Sequence, residues 1–564
     1  MDQESWGGRP LPAMRSEAHF GDRVVRCFAS RPSSLDRMFR DTVARHVDRD
    51  ALVYDGLRWS WRELAAAVAR TAAGMRSQGI RRGDRVAMLV GNRPEFIVAL
   101  YAIQRLRAIA VPISIREQAP GIAYTLRQCG ARMLVHDTQL RDRLPPRDAM
   151  PAGLQCVAVG AEDWQRWHRM PEGPPVSGGN EAAPGGDADE GASGREEDTA
   201  VILYTSGTTG RPKGAMLSHL NIIHSALHYE FCMDLTACDR SAMAVPASHV
   251  TGLIAMIVAM LRVGGAVVIV SSFRASSFLA LAAAQRITHT ILVPAMYQLC
   301  LLEPDFDRHD LGAWRIGAYG GAPMPRSAIE ALARRLPRLT LMNAYGATET
   351  TSPATIMPAG LQASHLASVG RPVPAGDIRV MDEGGREVAA GDAGELWIGG
   401  PMVVPGYWDN PQASVESFTA GYWRSGDIGS IDAAGFVQVF DRRKDMLNRG
   451  GYKIYSVEVE NVLLACEGVV EAAIVGRPCP VLGERVHAVV CVSDASTRDP
   501  VAVEARLRAH CAARLADYKV PESWVIQAEP LPRNANGKLM KRTLRPPAQV
   551  ARTPGGPPPR EARA

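Results

Sequence analysis

A stretch rich in glycine and threonine, residues 204–214, follows a short apolar run at residues 200–203. Its three glycines let the backbone approach an anion closely, and its hydroxyl side chains can donate hydrogen bonds. Lys213 adds a compact positive charge. The pattern predicts a strand that runs into a loop able to hold a polyphosphate. It differs from the common GxxxxGK[ST] phosphate loop, because Pro212 stands directly before the lysine where that motif requires glycine.

The length and charge of the chain limit the classes of protein it can belong to. With 564 residues it is too long for one hydrophobic core, so we expect two or more domains. The net charge of +5 is small and is spread along the chain, which gives no indication of nucleic acid as a partner. The ten cysteines form no Cys-x-x-Cys pair, so neither a zinc site nor a disulfide framework is indicated, and we expect a cytoplasmic protein.

Two segments bear on membranes and secretion. The N-terminus carries Asp2 and Glu4 and lacks the apolar core of a secretory signal, so we expect the protein to stay where it is made. Residues 253–270 are apolar but are interrupted by Arg262 and by a glycine pair beginning at Gly264. They predict a buried helix, a turn and a buried strand, and no membrane span.

Short apolar runs alternate with segments of helical periodicity, which predicts a parallel α/β sheet. One such helix is announced by Ser60 and Glu63, the spacing of a capping box. Residues 1–35 lack periodicity and predict an irregular lead-in, and the glycine-, proline- and acid-rich residues 171–197 predict a flexible surface insertion. Residues 546–564 predict a disordered tail.

Further segments carry chemistry that suits a nucleotide. Residues 319–323 form a glycine-rich turn against which a flat ring could lie, and residues 343–350 place an aromatic ring, a hydroxyl and a carboxylate close together. Residues 425–427 offer a carboxylate suited to ribose hydroxyls, and residues 441–445 form a cation-rich turn. Residues 532–538 carry a lysine on a turn near the C-terminus.

In this order, from about residue 35 to 545, these motifs resemble the ANL superfamily of adenylate-forming enzymes, and most closely its AMP-forming acyl-CoA synthetases. The resemblance implies an α/β fold with a large N-terminal AMP-binding domain of stacked α/β sheets and a β-rich subdomain, at residues 36–443. It also implies a small, mobile α+β C-terminal domain at residues 444–545.

The resemblance implies a role for each matching residue. Four are implied to be catalytic: Lys213, Thr348 at the α-phosphate, Glu349 as the Mg²⁺ ligand, and Lys538 as the adenylation lysine of the mobile domain. The implied ATP- and AMP-binding residues are Thr205, Ser206, Gly207, Thr208, Thr209 and Gly210 in the phosphate loop, Gly320, Gly321, Ala322, Pro323, Asn343, Ala344, Tyr345 and Gly346 around adenine, and Asp427 and Arg442 at the ribose. Lys444 falls on the hinge. The implied acyl and thiol residues are His249, Val250, Gly252, Tyr319, Gly450, Gly451 and Tyr452.

Some matches keep a structural interpretation. His249 is as well explained by a structural role as by an acyl pocket, and His219 is interpreted as structural. Two further family motifs, residues 394–407 and 517–521, are assigned packing roles. Ser248 stands where the family usually has an aromatic residue, and Ser456 replaces a frequent proline; the first leaves the shape of the acyl pocket open.

The resemblance implies an ATP-dependent ligase that joins a small-molecule carboxylic acid to coenzyme A through an acyl-adenylate, with Mg²⁺ as the cofactor. The alternative is an enzyme that loads a carrier-protein thiol. The absence of aspartate between Val245 and Gly252 favours an acid other than an amino acid. The pocket candidates, which are small, apolar or neutral, suggest an apolar aliphatic or aromatic acid. A non-catalytic scaffold is disfavoured by the intact charged residues of the motifs. A homodimer is left open.

Overall fold

The computed structural model describes most of the chain, and its described residues fall into compact units. The described ranges are 5–169, 195–205, 211–493, 499–533 and 539–545. They divide into two units, Met1–Val439 and Phe440–Ala564. The predicted tail, residues 546–564, and all but the last three residues of the predicted insertion lie outside the described residues.

The first unit contains most of the helices and strands. Its strands are β1 (Ser5–Trp6), β2 (Arg9–Pro10), β3 (Met14–His19), β4 (Arg23–Phe28), β5 (Asp50–Tyr54), β6 (Leu57–Ser60), β7 (Arg85–Leu89), β8 (Ile109–Pro112), β9 (Met133–Asp137), β10 (Gln155–Val159), β11 (Thr199–Thr205), β12 (Lys213–Ser218), β13 (Arg240–Met243), β14 (Ala266–Ile269), β15 (His289–Leu292), β16 (Ile316–Tyr319), β17 (Thr340–Tyr345), β18 (Thr355–Ile356), β19 (Ser368–Pro372), β20 (Asp377–Met381), β21 (Gly394–Gly399), β22 (Phe418–Thr419), β23 (Tyr422–Ile431) and β24 (Val437–Arg442), whose residues from Phe440 on belong to the second unit. Its α-helices are α1 (Leu35–His46), α2 (Trp61–Ser77), α3 (Pro94–Arg105), α4 (Ala119–Gln128), α5 (Glu162–Arg169), α6 (His219–Met233), α7 (Ala259–Val263), α8 (Ala275–Ala284), α9 (Pro294–Leu302), α10 (Arg326–Arg335) and α11 (Pro411–Ser417). Short 3₁₀ helices span Thr138–Arg143, Arg147–Ala149 and Phe306–Arg308, and a π-helix spans Thr251–Val258.

Two sheets organise this unit. One has the order β10-β9-β7-β8-β11-β12 and is parallel except for its last pair, in which β11 and β12 run antiparallel. The other contains the parallel series β5-β14-β13-β15-β16-β17, which continues through β18 into the antiparallel strands β19 to β24. The parallel and antiparallel parts correspond to the predicted α/β sheets and the predicted β-rich subdomain.

The predicted start of α2 is present in detail. The hydroxyl of Ser60 accepts a hydrogen bond from Glu63 N at 3.2 Å, and Glu63 Oε2 accepts one from Ser60 N at 2.7 Å. This capping box satisfies two backbone donors that the first helical turn cannot pair within the helix.

The N-terminal residues differ from the irregular lead-in predicted for residues 1–35. β1 pairs with β2, and β3 pairs with β4, so two hairpins occupy this region. Their partners are distant in sequence: Trp6 Nε1 donates to Pro372 O at 2.8 Å, and Arg31 donates to Glu196 at 2.6 and 3.0 Å. Local periodicity could not reveal these partners, which explains why the sequence predicted no strands here.

The apolar residues 253–270 fold as predicted. The π-helix Thr251–Val258 continues into α7, Gly264 ends the helix with a φ of 75°, and β14 follows. Among the ranges that the structure describes, no helix combines the length and apolar character needed to cross a membrane.

The second unit is a small α+β body. Its strands are β25 (Leu447–Arg449), β26 (Tyr452–Ile454), β27 (Val469–Cys479), β28 (Gly483–Val492) and β29 (Ser523–Gln527), and its helices are α12 (Ser456–Leu464), α13 (Pro500–Ala512), α14 (Lys541–Leu544) and a 3₁₀ turn, Asp517–Lys519. The sheet order is β26-β25-β28-β27, with β29 parallel to β28. Alternate residues of the β27–β28 hairpin, such as Ile474, Ala488 and Val490, are buried in a core of their own.

Candidate active site

The predicted phosphate loop joins the antiparallel strands β11 and β12. Thr205 at the end of β11 lies opposite Lys213 at the start of β12, which fixes the two ends of the loop beside each other. Ser206, Gly207, Thr208, Thr209 and Gly210 lie outside the described residues. The structure thus defines the base of the loop and the position of its lysine.

Side chains from α4 hold this base. Tyr124 Oη donates to Pro212 O at 3.0 Å, and Tyr204 Oη donates to Gln128 Oε1. Trp408 N donates to Gly214 O at 2.7 Å, and Gln128 Nε2 donates to Trp408 O at 2.8 Å. The base of the loop is therefore held by α4 and by the segment that precedes α11.

The predicted adenine-binding turns lie side by side at one edge of the parallel sheet. β16 and β17 are parallel and adjacent, with Tyr319 in register with Asn343. In such sheets ligands bind at the carboxyl ends of the strands, and both turns begin there. Gly320 is required at this position, because a Cβ on it would lie 2.3 Å from Ala344 O. Gly321 has a φ of 78°, a conformation that favours glycine.

The exposure of the neighbouring residues fits a ligand above the turns. Gly321, Ala322 and Pro323 are exposed, as is Gly346, whereas Asn343, Ala344 and Tyr345 are partly buried. Tyr319, predicted as an acyl-pocket residue, is buried in the hydrophobic core beneath, and burial raises the pKa of its hydroxyl.

The aromatic ring predicted at adenine and the carboxylate predicted at the ribose are joined directly. Tyr345 Oη donates to Asp427 Oδ2 at 2.6 Å, although the two residues lie on β17 and β23. Asp427 follows Gly426, whose φ is 70° and whose N donates to Glu395 Oε1 at 3.1 Å. Glu395 thus fixes the turn that presents the carboxylate. The sequence motif containing Glu395 had been assigned only a packing role.

The predicted metal ligand lies in a tight turn after β17. The Thr350 hydroxyl accepts a hydrogen bond from Ala347 N at 2.9 Å, and Tyr229 Oη and Ser352 Oγ share one at 2.8 Å. Thr348 and Glu349 lie between these fixed points. Glu349 is 8% exposed, so its carboxylate needs polar partners.

Tyr407 contacts both the predicted metal ligand and the predicted phosphate lysine. Its hydroxyl donates to Glu349 Oε1 at 2.9 Å, and Lys213 Nζ lies 5.1 Å from the centroid of its ring. Burial raises the pKa of Tyr407 above its usual range, and the charge of Glu349 adds to the shift. The sequence analysis assigns this residue to packing. Its position in a motif shared with the family is the sequence feature that could have indicated a role in the site.

The predicted acyl segment follows β13, two strands from β16 in the same parallel series. Asn92 Oδ1 accepts from Ala247 N at 2.8 Å, which anchors the segment. His249 is partly buried and its Nδ1 accepts from Thr251 N at 3.3 Å, whereas Val250 is buried. Gly252 is required by packing, since a Cβ on it would lie 2.2 Å from Pro246 O.

The other predicted residues belong to the second unit. The turn after Arg442 is closed by its carbonyl, which accepts from the backbone N–H groups of Asp445 and Met446, and Arg545 Nη2 donates to Lys444 O at 2.8 Å. Lys538 lies outside the described residues. The roles of Arg442 and Lys444 stay predictions.

The predicted thiol loop lies between β25 and β26. Gly450 and Gly451 have φ values of 59° and 90°, and Gly451 N donates to Asn448 Oδ1 at 3.1 Å. Tyr452 stacks on Tyr518 with ring centroids 4.6 Å apart, yet it is 59% exposed. The aromatic ring at the end of the loop is therefore accessible to solvent on one side and packed against Tyr518 on the other.

Comparison with known families agrees with this arrangement. The model of the AMP-binding enzyme family matches residues 39–408, and that of the AMP-binding enzyme C-terminal domain matches residues 458–538. The chain belongs to the AMP-binding enzyme family. The predicted resemblance to adenylate-forming enzymes, and to the AMP-forming acyl-CoA synthetases among them, is confirmed.

Individual relatives cover nearly the whole chain. A feruloyl-CoA synthase from Amycolatopsis is 34% identical over 88% of this chain and 95% of its own length. The long-chain-fatty-acid–CoA ligase FadD13 of Mycobacterium tuberculosis is 31% identical over 87% of this chain and 93% of its own. The solved structure of o-succinylbenzoate CoA synthetase from Bacillus subtilis, in complex with its acyl-adenylate, has a TM-score of 0.78 at 27% identity, covering 90% of this chain and 97% of that one. The predicted fold class is confirmed.

Proposed function

We propose that this AMP-forming ligase joins an apolar aliphatic or aromatic carboxylic acid to coenzyme A, and that the residues described above form its ATP site. One observation carries the assignment of the site. In the first unit Tyr407 contacts both Glu349 and Lys213, so a carboxylate and a cation of the kind that ATP chemistry needs are held together. The Tyr345–Asp427 pair belongs to the same unit.

In the first half-reaction, a carboxylate oxygen of the acid attacks the α-phosphorus of ATP. The new bond makes an acyl-adenylate, and the bond to the β-phosphate oxygen breaks, so pyrophosphate leaves. Lys213 and Thr348 are proposed to stabilise the negative charge that develops on the phosphates, because donors fixed in advance lower the barrier most. Asp427 is proposed to accept hydrogen bonds from the ribose hydroxyls, in an orientation set by Tyr345.

Glu349 fits a magnesium ligand. Its carboxylate and the nearby Thr348 hydroxyl are oxygen donors, which Mg²⁺ prefers, and Mg²⁺ commonly binds one carboxylate together with substrate phosphates. When bound, the ion would supply positive charge at the phosphate oxygens. A structure of the Bacillus subtilis relative has been solved in complex with ATP and magnesium ion.

In the second half-reaction, the sulfur of coenzyme A attacks the acyl carbonyl carbon, the thiol proton is released, and AMP leaves. We propose that Lys538 acts in adenylation, that Lys444 is the hinge on which the second unit turns, and that Gly450, Gly451 and Tyr452 line the approach of the thiol. Movement of this kind would keep water from the reactive anhydride during the first step and admit the thiol in the second.

The chemical class of the acid is proposed from the residues that follow β13. Val250 and Gly252 are small or apolar, and no aspartate stands between Val245 and Gly252 to pair with an amino group. The relatives are named for feruloyl, long-chain fatty and 2-succinylbenzoyl substrates, which are aromatic or aliphatic acids. Ser248 stands where the family usually has an aromatic residue, so the shape of the acyl pocket is left open.

A panel of carboxylic acids tests the function. Pyrophosphate release is measured for each acid with ATP and Mg²⁺, with and without coenzyme A, and the thioester is identified by mass. We expect release with apolar acids and a thioester only when coenzyme A is present. Release without formation of acyl-CoA would favour the alternative, a carrier-protein thiol as acceptor. Wild-type activity in Glu349→Gln would refute the metal assignment.

The remaining expectations concern assembly and location. A homodimer, a carrier-protein partner and a cytoplasmic location stay predictions, and size-exclusion chromatography with light scattering would test the first.

A further inference from the structure

Tyr407 occupies a rigid position between the phosphate loop and α11. Its backbone N donates to Ser414 Oγ at 2.9 Å, and its main chain forms an antiparallel bridge with Ala215. A Cβ on Gly406, the preceding residue, would lie 2.8 Å from Ser414 Oγ, so the chain packs closely here. The bridge to Ala215 joins the main chain of Tyr407 to β12, the strand that carries Lys213.

The hydroxyl of Tyr407 has one clear task. It donates to Glu349 Oε1 at 2.9 Å, and both side chains are largely buried, at 5% and 8% exposure. A hydrogen bond to a buried carboxylate restricts its rotamers and satisfies one of its oxygens.

The ring of Tyr407 has a second task. Lys213 Nζ lies 5.1 Å from the ring centroid, within the range of a cation–π contact. The ring therefore offers the ammonium group a neutral partner near the carboxylate. Because the ring carries no charge, this contact positions the lysine without using the Glu349 carboxylate, whose negative charge a metal ion requires.

We propose that Tyr407 is a positioning residue for MgATP: its hydroxyl orients the Glu349 carboxylate for the metal, and its ring holds the Lys213 ammonium group for the phosphates. The inference rests on the proposed roles of Glu349 and Lys213. The hydroxyl and the ring of Tyr407 thus have different functions, and two substitutions can distinguish them.

Equilibrium binding of ATP to the full-length protein tests the division. Tyr407→Phe removes the hydroxyl and keeps the ring, so we expect the Kd for ATP with Mg²⁺ to rise about 10-fold and the Kd in EDTA to stay within about 2-fold. Tyr407→Leu removes both, so we expect ATP to bind more weakly with and without Mg²⁺. Calorimetry or a fluorescent ATP analogue provides the readout, and circular dichroism checks that each variant is folded.

Tyr422→Phe is the matched control. Tyr422 also donates its hydroxyl to a carboxylate, that of Asp377, but it takes no part in the proposed site. We expect its Kd values to match those of the wild type. Should Tyr407→Leu fail to fold, Tyr407→Phe alone still decides the role of the hydroxyl.

Three outcomes would overturn the inference in different ways. If Tyr407→Phe raises the Kd for ATP equally with and without Mg²⁺, the hydroxyl does not act through the metal and Tyr407 has only a packing role. If neither Kd changes, the hydroxyl has no role in ATP binding. Both results would leave the proposed function intact, provided that Glu349→Gln loses its Mg²⁺ dependence. Failure of the wild-type protein to bind ATP would overturn the proposed function and the inference together.

Discussion

Gly320→Ala should displace the adenine turn and lower kcat/KM for ATP by more than a loss of stability alone would explain. The added Cβ would lie 2.3 Å from Ala344 O, and contacts under 3.0 Å essentially never occur, so the two turns must part by about 0.7 Å. No side-chain rotation can relieve this contact, because Ala344 O belongs to the backbone and the new Cβ is bonded directly to the backbone of residue 320. A displacement approaching 1 Å in a substrate-positioning segment can cost on the order of 100-fold. We expect kcat/KM for ATP to fall by about 10- to 100-fold.

The assay is pyrophosphate release at varied ATP, with the melting temperature measured in parallel. Gly265→Ala provides the control, because its Cβ would lie 2.8 Å from another backbone oxygen, that of Asp239, at the amino end of β14. This variant should lose stability while its folded molecules keep their KM for ATP. A wild-type kcat/KM in Gly320→Ala, or an equal loss in Gly265→Ala, would refute the reasoning.

Three further predictions concern other parts of the molecule. Tyr345→Phe removes the 2.6 Å hydrogen bond to Asp427 and should raise KM for ATP by about 10-fold with little change in kcat; an unchanged KM would contradict the assigned role. Lys444→Pro should impair transfer to coenzyme A more than adenylation in single-turnover assays, and equal loss in both would count against a hinge. Burial lowers the pKa of His219 from 6.5 to about 4, and its Nδ1 accepts from Leu35 N. Protonation therefore favours the unfolded chain, so stability is present above about pH 6.5 and is lost as pH falls toward 4, by about 2 kcal/mol between pH 7.5 and pH 5. Urea unfolding at several pH values would show this loss, which should be smaller in His219→Gln.

The sequence predicted best those features whose cause is local. The capping box at Ser60 and the interrupted apolar stretch at residues 253–270 depend on neighbours within a few positions, and both are present. The segments at Gly320 and Asn343 were linked through their resemblance to the family's adenine-binding motifs, and β16 and β17 lie side by side in the sheet.

Features that depend on distant partners were missed. Tyr407 is 58 positions from Glu349 in the chain, and no spacing rule relates them, so their hydrogen bond is visible only in three dimensions. The N-terminal hairpins are fixed in the same way, by Trp6 on Pro372 and by Arg31 on Glu196. In each case the stabilising contact comes from another part of the unit, and even the family motif that contains Tyr407 does not show which residue its hydroxyl contacts.

The two carboxylates proposed to meet the nucleotide have a tyrosine hydroxyl as a hydrogen-bond donor. Glu349 accepts from Tyr407 and Asp427 from Tyr345, and Asp377, outside the proposed site, accepts from Tyr422 in the same way. By contrast, Glu17 binds the Arg31 guanidinium, which holds the pKa of its carboxyl far below the usual range. An arginine fixes a carboxylate but also neutralises it, whereas a tyrosine fixes it and adds no counter-charge. A carboxylate that must attract a metal ion or ribose hydroxyls is better served by the second arrangement, so replacing Tyr407 by a cation should orient Glu349 and still weaken Mg²⁺ binding.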